Sequence, residues 1–173
     1  MSPTDQMPAK KNWLLVALIG RSPKRTLGRI VVLTVGVILI RKLLILPIRV
    51  DGVSMLPTYR DHTVNFVNRA AYAFHEPSRG DVVAIRLSGF SLMYLKRIVG
   101  LPGETISFHN GQCFINGQPL KEPYLKLVSN WEMEDKQLAS DEYYVVGDNR
   151  SMPSADHTQG IASRERIVGK ILL

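Results

Sequence analysis

The sequence predicts a mainly β fold of antiparallel sheets, preceded by an N-terminal transmembrane helix. The helix is indicated by an uncharged apolar run, Ile30 to Ile40, that follows a basic head. The sheets are indicated by short runs rich in Val, Ile, Phe and Tyr, which recur after Pro47 between turn residues. Strands and helices do not alternate as they do in parallel α/β folds. With 173 residues, the chain has room for one domain and an appendage.

The basic charge of the chain is confined to its head segment. Residues 1–49 carry nine Lys and Arg and one acidic residue, whereas residues 50–173 carry 13 Lys and Arg and 14 acidic residues. This distribution argues against a nucleic-acid binder, although the net charge is +7. A hydrophobic fraction of 45% excludes wholesale disorder. A single cysteine, Cys113, excludes an intrachain disulfide and a cysteine-based zinc site.

The apolar segment is long enough to cross a bilayer only if it continues beyond Ile40. Eleven helical residues span about 16 Å, whereas Ile30 to Ile48 span about 28 Å, close to the thickness of a hydrocarbon core. Arg41 and Lys42 would then reach toward the headgroups. A buried core helix is an alternative that leaves the upstream basic residues unexplained. A cleaved signal peptide is disfavoured because no small-x-small site follows Ile40.

We therefore interpret the head as an uncleaved signal anchor. Because the basic residues lie mainly before the apolar run, the positive-inside rule keeps the N-terminus in the cytoplasm. The predicted organisation is a basic cytoplasmic segment (residues 1–26), a transmembrane signal anchor (27–48) and an extracytoplasmic β-rich domain (49–173).

Seven strands are predicted in the body of the chain, separated by Gly, Pro, Asn and Asp turns. The pair Asn110-Gly111 is the strongest hairpin signal, and Asn116-Gly117 marks a second turn. Residues 126–141 are polar and acidic and predict a loop, with or without a short helix. The predicted strands are Thr63–Asn68, Asp81–Leu87, Met93–Val99, Thr105–His109, Gln112–Ile115, Glu142–Val146 and Ile167–Leu172.

Common site signatures are missing from the sequence. The four histidines are scattered without helix-spaced ligand geometry, so no metal is expected. Neither a G-x-S-x-G elbow nor a phosphate-binding glycine loop occurs. The tripeptide Arg79-Gly80-Asp81 opens a Val-rich strand and is interpreted as a turn.

Two places remain unusual. Ser54 follows Gly52 just beyond the apolar segment, where a serine is commonly only a turn residue. Lys96 lies inside an apolar strand; Tyr94, Lys96 and Ile98 share one face by period 2, and Leu95, Arg97 and Val99 share the other. Either this is an exposed edge strand with two solvated charges, or a buried face holds a charge at high cost.

At these residues the chain resembles the bacterial type I signal peptidases, which are membrane-bound serine proteases of peptidase family S26. The resemblance covers about residues 26–172, and the short second half, without large insertions, is similar to the compact forms from Gram-positive bacteria. It rests on four motifs in the order of the family, which are Ser54-Met55-Leu56-Pro57-Thr58, Arg79-Gly80-Asp81-Val82-Val83, the run from Tyr94 to Glu104, and Gly147-Asp148-Asn149-Arg150.

The resemblance implies a fold like the catalytic domains of signal peptidases and LexA, and a Ser-Lys mechanism. Ser54 would be the nucleophile, and Lys96 the general base with a pKa lowered by burial. The backbone N–H of Ser54 would supply one oxyanion donor. Some relatives place a serine where this chain has Gly52, which leaves the second donor open. The residues implied to line the pockets for small substrate side chains are Val50, Met55, Tyr94 and Leu95.

The last motif departs from the family pattern. Allowing one inserted residue, Ser154 matches a family serine that is expected to orient the lysine. Asp156 then matches a family aspartate. The arginine that follows in the family is missing here, and Arg164 is a possible substitute. Asp148 and Arg150 are interpreted as structural residues near the site.

The implied partners are the signal peptides of exported preproteins and the lipid bilayer, with no nucleic acid, metal or cofactor. The implied location is the bacterial cytoplasmic membrane, as a single-pass protein with its catalytic domain on the outer face. The alternatives are an inactive or dedicated-substrate relative that acts as a membrane-anchored binding module, and a self-cleaving LexA-like protease. Residues 1–49 lack the helix-turn-helix pattern that the latter would need.

Overall fold

The computed structural model describes residues 23–88, 92–156 and 160–172. The chain divides into two compact units, residues 1–42 and residues 43–173. Within the described residues, an α-helix, α1, spans Pro23–Leu44 and carries Arg41 and Lys42 in its last turn. Across the described ranges, no helix combines the length and the apolar character needed to traverse a membrane.

The segment predicted as an anchor, residues 27–48, divides at Leu44 into helix and strand. Ile45–Arg49 forms a strand that pairs in antiparallel register with Val64–Asn68. Pro47 cannot continue a helix, and the β-branched isoleucines on either side of it favour an extended strand. The last four residues of the predicted anchor therefore belong to the β domain. Of the predicted cytoplasmic segment 1–26, residues 1–22 lie outside the described ranges.

The second unit is mainly β, as predicted, and all pairs of named strands in it are antiparallel. Its strands are β1 (Ile45–Arg49), β2 (Val64–Asn68), β3 (Val82–Ser88), β4 (Leu92–Gly100), β5 (Thr105–His109), β6 (Gln112–Ile115), β7 (Gln118–Pro119), β8 (Met133–Gln137), β9 (Glu142–Val146), β10 (Gly160–Ser163) and β11 (Ile167–Leu172). Two short 3-10 helices span Ser154–Asp156 and Arg164–Arg166.

The strands form two sheets. The larger has the order β1-β2-β11-β3-β4-β9-β10, and the smaller has the order β7-β6-β5-β8. The strands of the smaller sheet all lie between β4 and β9 in the chain, and β4 and β9 are neighbours in the larger sheet. Tight turns with positive φ at Asn110-Gly111 and Asn116-Gly117 connect β5 to β6 and β6 to β7, so the predicted hairpin is confirmed.

All seven predicted strands are present, but four further strands were not predicted. The loop prediction for residues 126–141 is wrong at β8, whose Glu, Asp, Lys and Gln side chains are exposed. This strand forms because it pairs with β5 at the edge of the smaller sheet, where pairing overrides an unfavourable strand propensity. The other unpredicted strands, β1, β7 and β10, are short and lie at sheet edges.

The core consists of three clusters of buried apolar residues. Alternate residues of β3 and β4 divide between two of them, since Leu95 belongs to one cluster and Ile98 to another. The period-2 prediction for β4 is therefore confirmed. The third cluster fills the smaller sheet around Phe108 and Trp131. Because the first cluster includes Met55 and Tyr59, the connection between β1 and β2 is held firmly against the sheet.

Candidate active site

Ser54 lies on the connection between β1 and β2, residues 50–63, which we call the nucleophile loop. The loop is closed at its base by backbone hydrogen bonds from Val50 to Thr63 and from His62 to Val50, both 2.8 Å. At Gly52 the backbone has φ of +115°, a conformation that favours glycine. The N–H of Gly52 donates to Asp61 Oδ1 at 2.7 Å. These contacts hold Ser54 in a defined turn above the sheet.

Lys96 lies on β4, near the middle of the larger sheet, and only 2% of its surface is exposed. Its Nζ donates a hydrogen bond to Ser54 Oγ at 2.8 Å, although 42 positions separate the two residues in sequence. The ring of Tyr94 lies 6.0 Å from Nζ, measured to the ring centroid. The structure therefore brings together the serine and the lysine singled out in the sequence.

Burial lowers the pKa of Lys96 from 10.5 to about 8, against an opposing effect of the negative charge on Asp148. With a pKa of 10.5, about one lysine in 3,000 is neutral at pH 7, whereas with a pKa of 8 about one in ten is. A neutral amine 2.8 Å from a hydroxyl can accept its proton. The pair therefore has the geometry and the electrostatics of an activated nucleophile.

The other charge of β4, Arg97, is also buried, with 9% exposure. Its Nε and Nη2 donate to Asp148 Oδ1 and Oδ2 at 2.8 and 2.6 Å, and its guanidinium stacks 3.9 Å from the Tyr124 ring centroid. Both faces of β4 are covered, so the alternative of an exposed edge strand with solvated charges is wrong. Arg97 keeps its charge because it is paired, whereas no carboxylate of the described residues lies within ion-pair distance of Lys96.

Asp148 joins β4 to the nucleophile loop. In addition to Arg97, it accepts a hydrogen bond from Thr58 Oγ1 at 2.5 Å, and it is fully buried. Thr58 lies four residues after Ser54 in the same loop. The carboxylate therefore links the strand that carries the lysine to the loop that carries the serine.

Arg150 is held beneath the smaller sheet. It is 1% exposed and pairs with Glu122 at 2.5 Å, measured between Nη2 and Oε1. Its guanidinium lies 5.5 and 5.6 Å from the ring centroids of Phe108 and Trp131. The smaller sheet and residue 122 thus hold the segment that follows β9. Sequence reasoning missed Glu122, Tyr124 and Trp131, whose contacts join residues far apart in the chain.

The four predicted pocket residues, Val50, Met55, Tyr94 and Leu95, line one small cavity together with Ser54 and Gly52. The cavity volume is about 40 Å³. At about 10–15 Å³ for one water, a space of this size has room for roughly three water-sized groups but not for a large side chain. Three residues that line this cavity were not predicted: Arg49, Asp51 and Met93.

The remaining predicted site residues lie after β9. Ser154 is half-buried at the start of a 3-10 helix, and its predicted contact with Lys96 stays a prediction. The backbone of Asp156 ends that helix, but its side chain lies outside the described parts of the structure. Arg164, the suggested substitute partner for Asp156, donates from Nε to Glu76 Oε2 at 2.6 Å.

One exposed cluster has the composition of a metal site. Potential ligand atoms of Asp51, Asp61 and His62 lie within 4.8 Å of one another. Arg49 contacts two of these residues, at 3.3 Å from Asp51 Oδ1 and at 3.2 Å from His62 Nδ1. The guanidinium supplies the positive charge that a cation would bring, so the cluster is an ion-pair network at the rim of the cavity.

The chain is similar to known proteins over most of its length. The family model described as signal peptidase, peptidase S26, matches residues 24–173. A signal peptidase I of Bacillus amyloliquefaciens is 37% identical over 158 residues, which cover 82% of this chain and 80% of the relative. A signal peptidase I of Leptolyngbya laminosa is 32% identical over 157 residues, which cover 86% of this chain and 76% of the relative.

A crystal structure of a signal peptidase I from Enterococcus faecalis V583 is 27% identical, with a TM-score of 0.45, and the match covers 56% of this chain and 97% of that one. The family match extends over nearly the whole described chain, and relatives more than 30% identical share its length. The chain therefore belongs to the signal peptidase family, peptidase S26, whose members are serine endopeptidases.

Proposed function

We propose that the chain is a membrane-anchored signal peptidase I that removes N-terminal signal peptides from exported preproteins after small-x-small sites. Ser54 is the nucleophile, and Lys96 is the general base. The observation that carries this proposal is the 2.8 Å hydrogen bond between Lys96 Nζ and Ser54 Oγ at a buried lysine of lowered pKa. No metal or cofactor takes part in the proposed steps.

In the acylation step, neutral Lys96 accepts the proton of the Ser54 hydroxyl while Oγ attacks the scissile carbonyl carbon. The carbonyl electrons move onto oxygen, which forms a tetrahedral oxyanion. When this intermediate collapses, the C–N bond breaks and the lysine ammonium donates its proton to the leaving amine. Water then attacks the acyl-enzyme, with Lys96 again accepting the proton. The ester bond to Ser54 breaks as the lysine ammonium returns that proton to Oγ.

The oxyanion needs hydrogen-bond donors placed before the reaction. The backbone N–H of Ser54 is the proposed first donor. The N–H of Gly52 is engaged with Asp61 Oδ1 at 2.7 Å and does not point into the site as a free donor. In this conformation, therefore, the second donor is not the backbone of Gly52. Gly52, Ser154, Asp148 and Arg150 act in this proposal by supporting the loop, the lysine and the segment after β9.

The small cavity beside Ser54 gives the proposed specificity for small side chains. Val50, Met55 and Leu95 are almost fully buried, so they form firm walls. A strand-like substrate that places alanine in this cavity fills it, whereas a larger side chain meets those walls. The extended substrate pairs with backbone groups at the edge of the site by β-augmentation.

The family is one of membrane-anchored bacterial proteins, and the proposed anchor of this chain lies in residues 27–44, since Ile45–Arg49 forms β1. The excess of basic residues in positions 1–49 supports an N-terminus in the cytoplasm and a catalytic domain, residues 45–173, on the outer face of the cytoplasmic membrane. The basic segment 1–26 stays inside. Holding the site at the bilayer raises its effective concentration toward a substrate that is held there by its own apolar segment.

Topology can be tested with a membrane-impermeant maleimide on intact spheroplasts. The native Cys113 is buried and gives little background. A cysteine at exposed Lys121 (Lys121→Cys) should react from outside, whereas one at Ser2 (Ser2→Cys) should react only after lysis. The reverse pattern would refute the proposed orientation.

Activity is tested by cleavage of a preprotein with alanine at both small-residue positions, in detergent. Wild type should cut at the predicted site, while Ser54→Ala and Lys96→Met should not. A folded wild type that cuts no general preprotein would point instead to the dedicated-substrate or inactive relative. Cleavage that survives Lys96→Met would show that another group is the base.

A further inference from the structure

Asn149, in the last of the four motifs, contacts the nucleophile loop through both its side chain and its backbone. Its Nδ2 donates to the carbonyl oxygen of Val53 at 3.1 Å. Its backbone N–H donates to the carbonyl oxygen of Ser54 at 2.9 Å. Two successive carbonyl groups, one on each side of the Ser54 Cα atom, are therefore held by a single residue 95 positions later in the chain.

The hydrogen bond from Asn149 Nδ2 to the Val53 carbonyl also affects the N–H at the other end of the Val53–Ser54 peptide group. The carbonyl of Val53 and the N–H of Ser54 belong to one planar peptide unit, and this unit is trans, since the cis peptide bond in this part of the chain is Leu56-Pro57. In a trans unit the C=O and the N–H point in opposite directions. Fixing the oxygen of Val53 thus fixes the direction in which the N–H of Ser54 points.

We propose that Asn149 is a positioning residue that aims the backbone N–H of Ser54 at the oxyanion of the tetrahedral intermediate. This inference rests on the proposed function, because it takes Ser54 as the nucleophile and its N–H as an oxyanion donor. Asn149 does not touch the substrate in this mechanism. It acts through the Val53–Ser54 peptide, in contrast to Lys96, which takes the proton.

The Asn149 amide is itself held in one orientation. The hydroxyl of Ser151 donates to its Oδ1 at 2.6 Å, so the NH2 group is the end that faces Val53. Asn149 is only 6% exposed. The N–H of Arg150 donates to the carbonyl of Leu127 at 3.0 Å, which holds the neighbouring backbone against the connection between β7 and β8. The Asn149 amide is therefore held at both ends, by the Ser151 hydroxyl at Oδ1 and by the Val53 carbonyl at Nδ2.

The Val53 carbonyl also accepts a hydrogen bond from the N–H of Leu56 at 3.1 Å. That bond belongs to the turn of the loop and survives loss of the Asn149 side chain. The backbone bond from residue 149 to Ser54 survives too. Removing the amide should therefore leave the loop folded but take away one of the two hydrogen bonds that fix the Val53 carbonyl, so that the N–H of Ser54 is held less firmly toward the oxyanion.

The test is the kinetics of Asn149→Leu, a neutral variant of similar size that places no new charge near Lys96. We expect kcat to fall by roughly tenfold to a hundredfold, because a small misplacement of a catalytic donor costs about that much. KM should stay within about twofold, since the oxyanion exists only after attack. The midpoint of the pH profile should not move, because the base is unchanged.

The matched control is Asn65→Leu, the same substitution at a half-buried asparagine on β2 whose side chain bonds Thr63. It should leave kcat unchanged. A second variant, Ser151→Ala, removes the hydrogen bond that the Ser151 hydroxyl donates to the Asn149 amide but keeps the amide itself, and it should lower kcat by a few-fold. If Asn149→Leu does not fold, Ser151→Ala decides the question alone.

The inference is overturned if folded Asn149→Leu keeps the wild-type kcat, if its loss is entirely in KM, or if its pH midpoint shifts with the rate. A loss that matches the unfolded fraction measured by thermal melting overturns it as well. These outcomes differ from failure of the proposed function, in which Ser54→Ala would retain cleavage. If Ser54→Ala is inactive while Asn149→Leu matches wild type, only the positioning role is wrong.

Discussion

The pH dependence of cleavage follows from the environment of Lys96. Burial lowers its pKa from 10.5 to about 8, a difference equivalent to about 3.4 kcal/mol. Only the neutral amine can accept the proton of Ser54. The value of kcat/KM should therefore rise about tenfold per pH unit below pH 8, reach half its maximum near pH 8 and level off above it.

The informative perturbation is Asp148→Asn. The negative charge of Asp148 raises the pKa of Lys96, so neutralising it should lower that pKa further. Loss of the carboxylate also leaves the positive Arg97 without its partner, which acts in the same direction. The midpoint of the pH profile should thus move to lower pH. The exposed carboxylate of Asp135 on β8 provides the matched control, since Asp135→Asn should leave the midpoint in place.

The assay is kcat/KM for an alanine-containing preprotein in detergent, measured from about pH 5.5 to pH 10 on protein shown to be folded at each pH. A wild-type profile that is flat, or that rises only near the ordinary lysine pKa, would refute the assignment of Lys96 as a buried neutral base. A shift to higher pH in Asp148→Asn would refute the electrostatic reasoning even if the midpoint of the wild type is correct.

Four further predictions concern stability and specificity. Lys96→Met should melt at a higher temperature than wild type at pH 7, because the lowered pKa means that burying the charged lysine destabilises the folded state. This destabilisation is complete below pH 8 and disappears as the pH rises to about 10.5. The gain in melting temperature should therefore shrink over that range. Asp148→Ala should lower the free energy of unfolding by about 3–5 kcal/mol in urea titrations, because it leaves Arg97 buried and unpaired. Gly111→Ala should cost more than about 1 kcal/mol by the same measurement, since φ is +76° and the new Cβ would lie 1.9 Å from a backbone oxygen. Leu95→Ala should enlarge the cavity and allow cleavage of preproteins with a larger side chain at one small-residue position, and an unchanged substrate range would contradict the assignment of the cavity.

Local sequence patterns predicted most of the strands in the β domain. The period-2 runs and the Asn-Gly turns depend on neighbouring residues alone, which is why β5 and β6 were placed correctly. Strand β8 was missed because its polar composition resembles a loop, and only its pairing with β5 makes it a strand. The end of the helix at Leu44 was missed for a similar reason, since the apolar residues after it serve a sheet equally well.

At the site too, local sequence patterns predicted some features, while others depend on contacts between distant parts of the chain. The pattern around Lys96 indicated that a charge is buried if a face of the strand is buried, but it left open whether β4 lies at an edge. Strand order depends on pairings between distant segments, which no local pattern records. The pairing of Arg150 with Glu122 and the contacts of Asn149 with the nucleophile loop are equally distant in sequence. The family motifs named Asn149 and Arg150 without revealing what they touch, and they did not name Glu122.

The position of β11 bears on when the enzyme becomes active during its synthesis. This strand, the last in chain order, lies between β2 and β3 and is paired to both. On one side of it are β1 and β2, which flank the loop of Ser54, and on the other side are β3 and β4, which carry Lys96. A nascent chain that lacks β11 has the nucleophile and the base in two halves of a sheet that no strand yet joins. The Ser54–Lys96 pair is therefore expected to assemble only after β11 has been synthesised and has paired with β2 and β3.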